Sequence, residues 1–147
     1  MKKIVIFILT LLSMIYGTIM PIQAAEDIKV CIDGNFVKFD VKPQIIDGRT
    51  MVPIRAIFEA MGATVLWNDS NKTATCTKDN TVVKMTLGEK FRDVDGIRLS
   101  MDVAPVIVDG RILTPARYVA ESFGYVVEWD GVNKIVNINY VNRMKML

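Results

Sequence analysis

The stretch PQIIDGRTMVPIRAIFEAMGATVLW, residues 43–67, returns as PVIVDGRILTPARYVAESFGYVVEW, residues 105–129. Sliding the chain over itself by 62 positions extends the match on both sides without a gap, with 17 identities in the 44 positions from residue 33 to residue 76. Self-similarity at a fixed period is the signature of a unit used more than once. The invariant positions explain how each unit folds. Asp47-Gly48 and Asp109-Gly110 sit between apolar runs, the strongest short-range signal for a two-residue hairpin. Pro53 and Pro115 follow and suit the first position of a helix, where no backbone donor is needed; Thr114 suits the N-cap of the second helix. Gly62 and Gly124 suit the left-handed position just past a helix end. Between these marks Ile54, Ile57, Phe58 and Met61, and then Val119, Ala120 and Phe123, keep helical spacing and form one buried stripe per helix.

A strand follows each helix. Val65 and Trp67 lie two apart, as do Val127 and Trp129, so each tryptophan shares a face with a valine. Turns over 68–72 and 130–134 lead into last strands near 73–77 and 135–140, and residues 81–87 form one more strand closed by Gly88-Glu89-Lys90. The fold class expected is α+β: antiparallel hairpins wrapped around two short helices, built from a tandem repeat at about 33–76 and 95–138. One repeat is too small for a good core, so residues 25–147 are expected to form a single domain in which both repeats share a sheet system.

The first residues are of another kind. Lys2 and Lys3 precede an uncharged apolar run from Ile4 to Met20, then Pro21 and the small residues Ala24 and Ala25. This is the pattern of a cleavable export signal, residues 1–24, with the cut after Ala24 or one residue later. No later segment is apolar enough to span a bilayer. The whole chain has 18 Lys and Arg against 16 Asp and Glu, and removing the two signal lysines leaves sixteen of each. A neutral surface gives no general attraction to nucleic acid or anionic lipid. There is no histidine, which excludes a Ser-His-Asp or Cys-His nucleophile and a histidine-based copper or zinc site.

The motif Pro-x-Ile-x-Asp-Gly-Arg-x-x-x-Pro-x-Arg-x-x-x-Glu-x-x-Gly-x-x-Val-x-Trp, at 43–67 and 105–129, resembles the copper amine oxidase N-terminal-like domain, or stalk domain, of exported bacterial proteins. The resemblance runs from about Ile28 to Tyr140. It implies a five-stranded antiparallel sheet, or an extension of one, wrapped around helix, and a module that accompanies cell-surface or cell-wall proteins. The oxidase's copper histidines have no counterpart here, so no cofactor or metal follows from it.

Candidate functional residues are few. Trp67 and Trp129 read first as core residues, and otherwise as platforms for stacking on a sugar ring. Arg55 with Glu59, and Arg117 with Glu121, are four apart on a helix face; they read as solvated ion pairs or as arginines offered to an anion. Cys31 and Cys76 read as a disulfide of an exported protein or as two small apolar residues. Asp93-Val94-Asp95-Gly96 comes nearest to a calcium loop but lacks its remaining ligands. The function expected is a non-catalytic secreted or cell-envelope module that binds a wall polymer, an exported protein or its own copy. An inhibitor or accessory subunit of another exported protein is the alternative. A glycoside hydrolase working with carboxylates alone, Glu59 with Asp69 or Glu121 with Asp130, is the enzymatic reading.

Overall fold

The structure, a computed structural model, describes residues 26–141; the expected signal segment lies outside them. At its centre are two hairpins. Strands β3 (Gln44–Ile46) and β4 (Arg49–Pro53) are joined by Asp47-Gly48, and β10 (Val106–Val108) and β11 (Arg111–Pro115) by Asp109-Gly110. Both residues of each turn have positive φ, 49° and 72° in the first and 47° and 74° in the second. That is the type I′ geometry whose twist matches the flanking strands. The two hairpins pair through β4 and β11, antiparallel, with Leu113 opposite Pro53, Thr114 opposite Val52 and Pro115 opposite Met51. This register reads the same from either hairpin, as in an interface between two equal partners.

Each hairpin runs directly into a helix, α1 (Ile54–Ala60) and α2 (Ala116–Ser122). Two expectations change here. Pro53 and Pro115 are the N-caps, one residue before the helices, and end strands β4 and β11. Thr114 is no cap: it lies in β11, fully buried, and its hydroxyl donates to Met85 Sδ at 3.4 Å. The helix ends are as expected. Gly62 has φ 80°, its N–H donates to Glu59 O at 2.9 Å, and Ala63 N–H donates to Phe58 O at 2.8 Å. These are the paired bonds of a Schellman motif, which satisfy carbonyls that the helix leaves open.

Two outer sheets complete the fold. One is five-stranded and antiparallel, in the order β5 (Thr64–Asn68), β6 (Thr73–Lys78), β7 (Thr81–Thr86), β8 (Phe91–Val94), β9 (Ile97–Ser100). The other has the order β12 (Tyr125–Asp130), β13 (Ile135–Tyr140), β1 (Lys29–Ile32), β2 (Asn35–Phe36). Each joins the last strands of one half of the chain to the first hairpin of the other. The fold is therefore α+β, mostly sheet with two short helices, but it is not made of antiparallel hairpins alone: β1 and β13 run parallel. The reason is β7. It lies between β6 and β8 and is antiparallel to both. The second sheet has no strand in that place, so β13 meets β1 directly, in the same relative direction as β6 and β8.

Both helices and both outer sheets contribute to one buried cluster. Ile57, Phe58, Val83, Val119 and Ile138 are fully buried within it. Burying a side chain of this size stabilises by about 1.5–3 kcal/mol, which is why helices of seven residues hold their place. A smaller cluster of Met51, Val103 and Leu113 lies on the other face of the central hairpins.

Cys31, on β1, and Cys76, on β6, are both free and belong to different sheets, so the disulfide is not made. Burial pushes the Cys76 thiol up to about 12. Nor do the acids near Gly96 form a cation loop: Asp93 accepts from Gly96 N–H at 2.9 Å and Asp95 from Val82 N–H at 2.7 Å. Their carboxylates close the β8–β9 turn and its neighbour.

Candidate functional site

The exposed face of α1, the strand after it and the hairpin of the other half border a half-open cavity of about 710 Å3. Arg55 and Glu59 come from α1 and Trp67 from β5. Ile107, Arg111 and Ile112 reach in from β10 and β11, which the pairing of β4 with β11 brings alongside. Lys38 and Asp40 form one wall and the turn residues Asp69 and Lys72 another. A second cavity, about 270 Å3, lies under α2. Its lining includes Arg117, Trp129, Arg49 and Val136, each 62 positions from a residue of the first: Arg55, Trp67, Arg111 and Ala74. Val136 fills space that Ala74 leaves open, and no wall corresponds to Lys38 and Asp40. The four residues singled out in the sequence, Trp67 with Arg55 and Trp129 with Arg117, thus stand as one tryptophan and one arginine in each cavity.

Neither tryptophan is fully buried. Trp67 is partly buried at the rim of the core, and Trp129 is 48% exposed. Alternation places both on the inner face, but β5 and β12 are sheet edges. A helix of seven residues is about 10 Å long and covers only part of such a strand. The two indoles are also held differently. Trp67 Nε1 donates to Asp69 Oδ1 at 3.4 Å. Residue 131, 62 positions further on, is glycine, and a Cβ there would lie 3.2 Å from Trp129 Nε1. The missing side chain lets that ring lie over the turn.

The charges fall into two groups. Arg111 grips Asp40 at 2.6 Å, and Arg49 grips Asp102 at 2.5 Å, each pair joining one half of the chain to the other. The hydrogen bond from Arg111 holds the Asp40 carboxyl below its ordinary value. Burial alone would raise Asp102, but the Tyr118 hydroxyl and Arg49 bring it below that value. Lys72 lies 2.7 Å from Asp69 and, with the indole N–H, lowers its carboxyl too. The expected helix pairs are looser: Arg55 to Glu59 is 4.0 Å and Arg117 to Glu121 is 3.9 Å. Contacts this long and exposed contribute little, so both guanidinia keep donors for another partner. Among the described residues no ion pair holds Lys38.

The large cavity brings Glu59 and Asp69 together, but Glu121 and Asp130 do not line the smaller one. Glycoside hydrolysis needs a carboxylic acid whose pKa is raised so that it can give up a proton. Asp69 is shifted the other way, and so is Asp130, through the side-chain and backbone hydrogen bonds from Asn133. Among the described residues no group of three or more Cys, Asp or Glu is placed to hold a metal ion.

Asp40, Arg49, Asp102 and Arg111 were legible as identities at the 62-residue offset; their pairing across the halves was not.

Residues 31–138 match the family described as copper amine oxidase N-terminal domain. A search of curated proteins gave no match.

Proposed function

The chain belongs to the copper amine oxidase N-terminal domain family, and we propose that it is a non-catalytic binding module of the secreted space or cell envelope, holding a wall polymer or an exported protein in the cavity beneath α1. In copper amine oxidases this domain is a stalk-like module without catalytic function. One observation carries the reading: Trp67, Arg55 and Arg111, from both halves of the chain, meet around about 710 Å3 of accessible space. An aromatic face with a few convergent polar groups is what recognition sites are made of.

The same reading includes a duplicated origin. Its support is that β3, β4 and α1 recur as β10, β11 and α2 with bounds 62 residues on, and that the Arg111–Asp40 contact recurs as Arg49–Asp102. Export rests on Lys2, Lys3, the apolar run to Met20 and the small residues at 24 and 25; mass spectrometry of the secreted form should find Ala25 or Glu26 first.

The binding test is retention of the secreted protein on purified cell wall, and in parallel on immobilised surface-protein extract. Retention on one of the two is expected, and Trp67→Leu should abolish it. If wild type and variant are retained equally, or neither bait retains the wild type, the cavity is not the binding site.

A further inference from the structure

We propose that the ligand of the cavity beneath α1 is an acidic glycan: one pyranose ring lies on the Trp67 indole, and its carboxylate meets Arg55 and Lys38. This rests on reading that cavity as the binding site. Three features select the ligand class. The first is the indole itself, partly buried at one edge and facing space beside Ile107 and Ile112. A flat aromatic face with aliphatic neighbours fits the C–H face of a sugar ring.

The second is the mixture of charged groups in one lining. Lys38, Arg55, Lys72 and Arg111 offer only donors, while Asp40, Glu59 and Asp69 offer only acceptors. Hydroxyl groups donate and accept, so a polyol can satisfy both sets. An alkyl chain would give nothing to Lys38 or to the loosely held Arg55 and Glu59, and a purely anionic ligand would face three acids.

The third is the charge balance. Arg111 is held by Asp40 at 2.6 Å and Lys72 by Asp69 at 2.7 Å. Arg55 reaches Glu59 only at 4.0 Å, and among the described residues Lys38 has no acidic partner. With four cations against three acids, the lining has a surplus of one positive charge. One carboxylate per ring neutralises it; a nucleotide or polyphosphate brings more negative charge than the site can balance. The smaller cavity has its own tryptophan and two arginines, but only about 270 Å3 and no counterpart of Lys38 in its lining, so the ligand is assigned to the larger one.

The test is titration of the secreted protein, followed by calorimetry and by tryptophan fluorescence. The probes are trigalacturonate, its methyl ester, the disaccharide of N-acetylglucosamine and N-acetylmuramic acid, and acetate. Saturable binding of at least one acidic sugar, with Kd of about 1 mM or tighter, is expected. Methyl esterification, Arg55→Gln or Lys38→Gln should weaken trigalacturonate binding about tenfold or more, since each removes a charge-assisted hydrogen bond. Trp67→Leu should remove binding, while Trp129→Phe leaves it unchanged. Equal binding of acid and ester overturns the carboxylate, and acetate binding as tightly as the sugars overturns the glycan. If no sugar saturates while Trp67-dependent retention on surface-protein extract persists, the ligand is a protein and only this inference fails. If that retention is absent too, the binding cavity fails with it.

Discussion

Phe58→Ala and Trp129→Ala each delete one aromatic ring, the first from α1 and the second from β12, and the structure assigns them very different costs. Phe58 is fully buried and lies edge-on to Phe123, with centroids 5.2 Å apart and planes at 90°. Its removal leaves a cavity that helix and sheets cannot close, since both are fixed by ladders and caps. Such substitutions cost about 3–5 kcal/mol, including the cavity. A domain of this size has about 5–15 kcal/mol in all. At roughly 3–5 °C per kcal/mol, between the ranges for smaller and larger domains, the midpoint should fall by about 10–25 °C. Trp129 is 48% exposed. Its deletion loses only part of a transfer term and opens to water rather than to a void, so about 1–1.5 kcal/mol is expected. Urea unfolding followed by far-ultraviolet circular dichroism measures both, since the slope should not change and the shift in midpoint then reports stability alone. A Trp129→Ala cost equal to that of Phe58→Ala would refute the placement of the indole at the surface. A Phe58→Ala cost below about 1.5 kcal/mol would refute the shared core.

Three further outcomes follow from the geometry. The carboxyls of Asp40, Asp69, Asp102 and Asp130 all titrate below their ordinary value when folded. The stability they contribute is therefore complete above the unfolded value of about 3.9 and lost as pH falls through the folded values. With no histidine in the chain, the melting temperature should be flat from pH 5 to 8 and fall below about pH 4; a transition near pH 6–7 would contradict this. Because both cysteines are free and the buried Cys76 thiol is pushed up to about 12, dithiothreitol should leave the melting temperature unchanged, and Cys76 should resist alkylation at pH 8 until the protein unfolds. Gly62→Ala forces a Cβ into a backbone with φ 80° and should cost about 1–2 kcal/mol in the same urea assay; a neutral result would remove the Schellman cap from the account.

What could be read from the sequence was local. Asp47-Gly48, Asp109-Gly110, Gly62 and Gly124 each need a positive φ, a property of one or two residues, and all have it. The helix stripes were legible for the same reason. Two things were not. Alternation told that Val65 and Trp67 share a face but not whether anything covers it, because cover depends on the length of a helix elsewhere in the chain. The exchange of strands between halves was hidden too. The 62-residue offset places β1 opposite β8, yet gives no sign that β13 pairs with one while β6 is kept from the other by β7. Of the candidate site, Trp67 and Arg55 were singled out in the sequence, but the cavity that they line also needs Ile107 and Arg111 from the opposite half.

The parallel pairing of β1 with β13 has a mechanical consequence. Lys29 lies opposite Ile135 and Ile32 opposite Ile138, so the chain enters β1 at one end of the shared ladder and leaves β13 near the other. A pull applied before β1 and after β13 draws the two strands past each other along their length. All the hydrogen bonds between them then share the load, whereas a hairpin such as β3–β4, pulled at its two open ends, would lose its bonds one at a time. The strand missing between β13 and β1 thus makes this seam a clamp: under tension between its ends the fold resists by shear, and the rest of the protein, the cavity beneath α1 included, lies behind it.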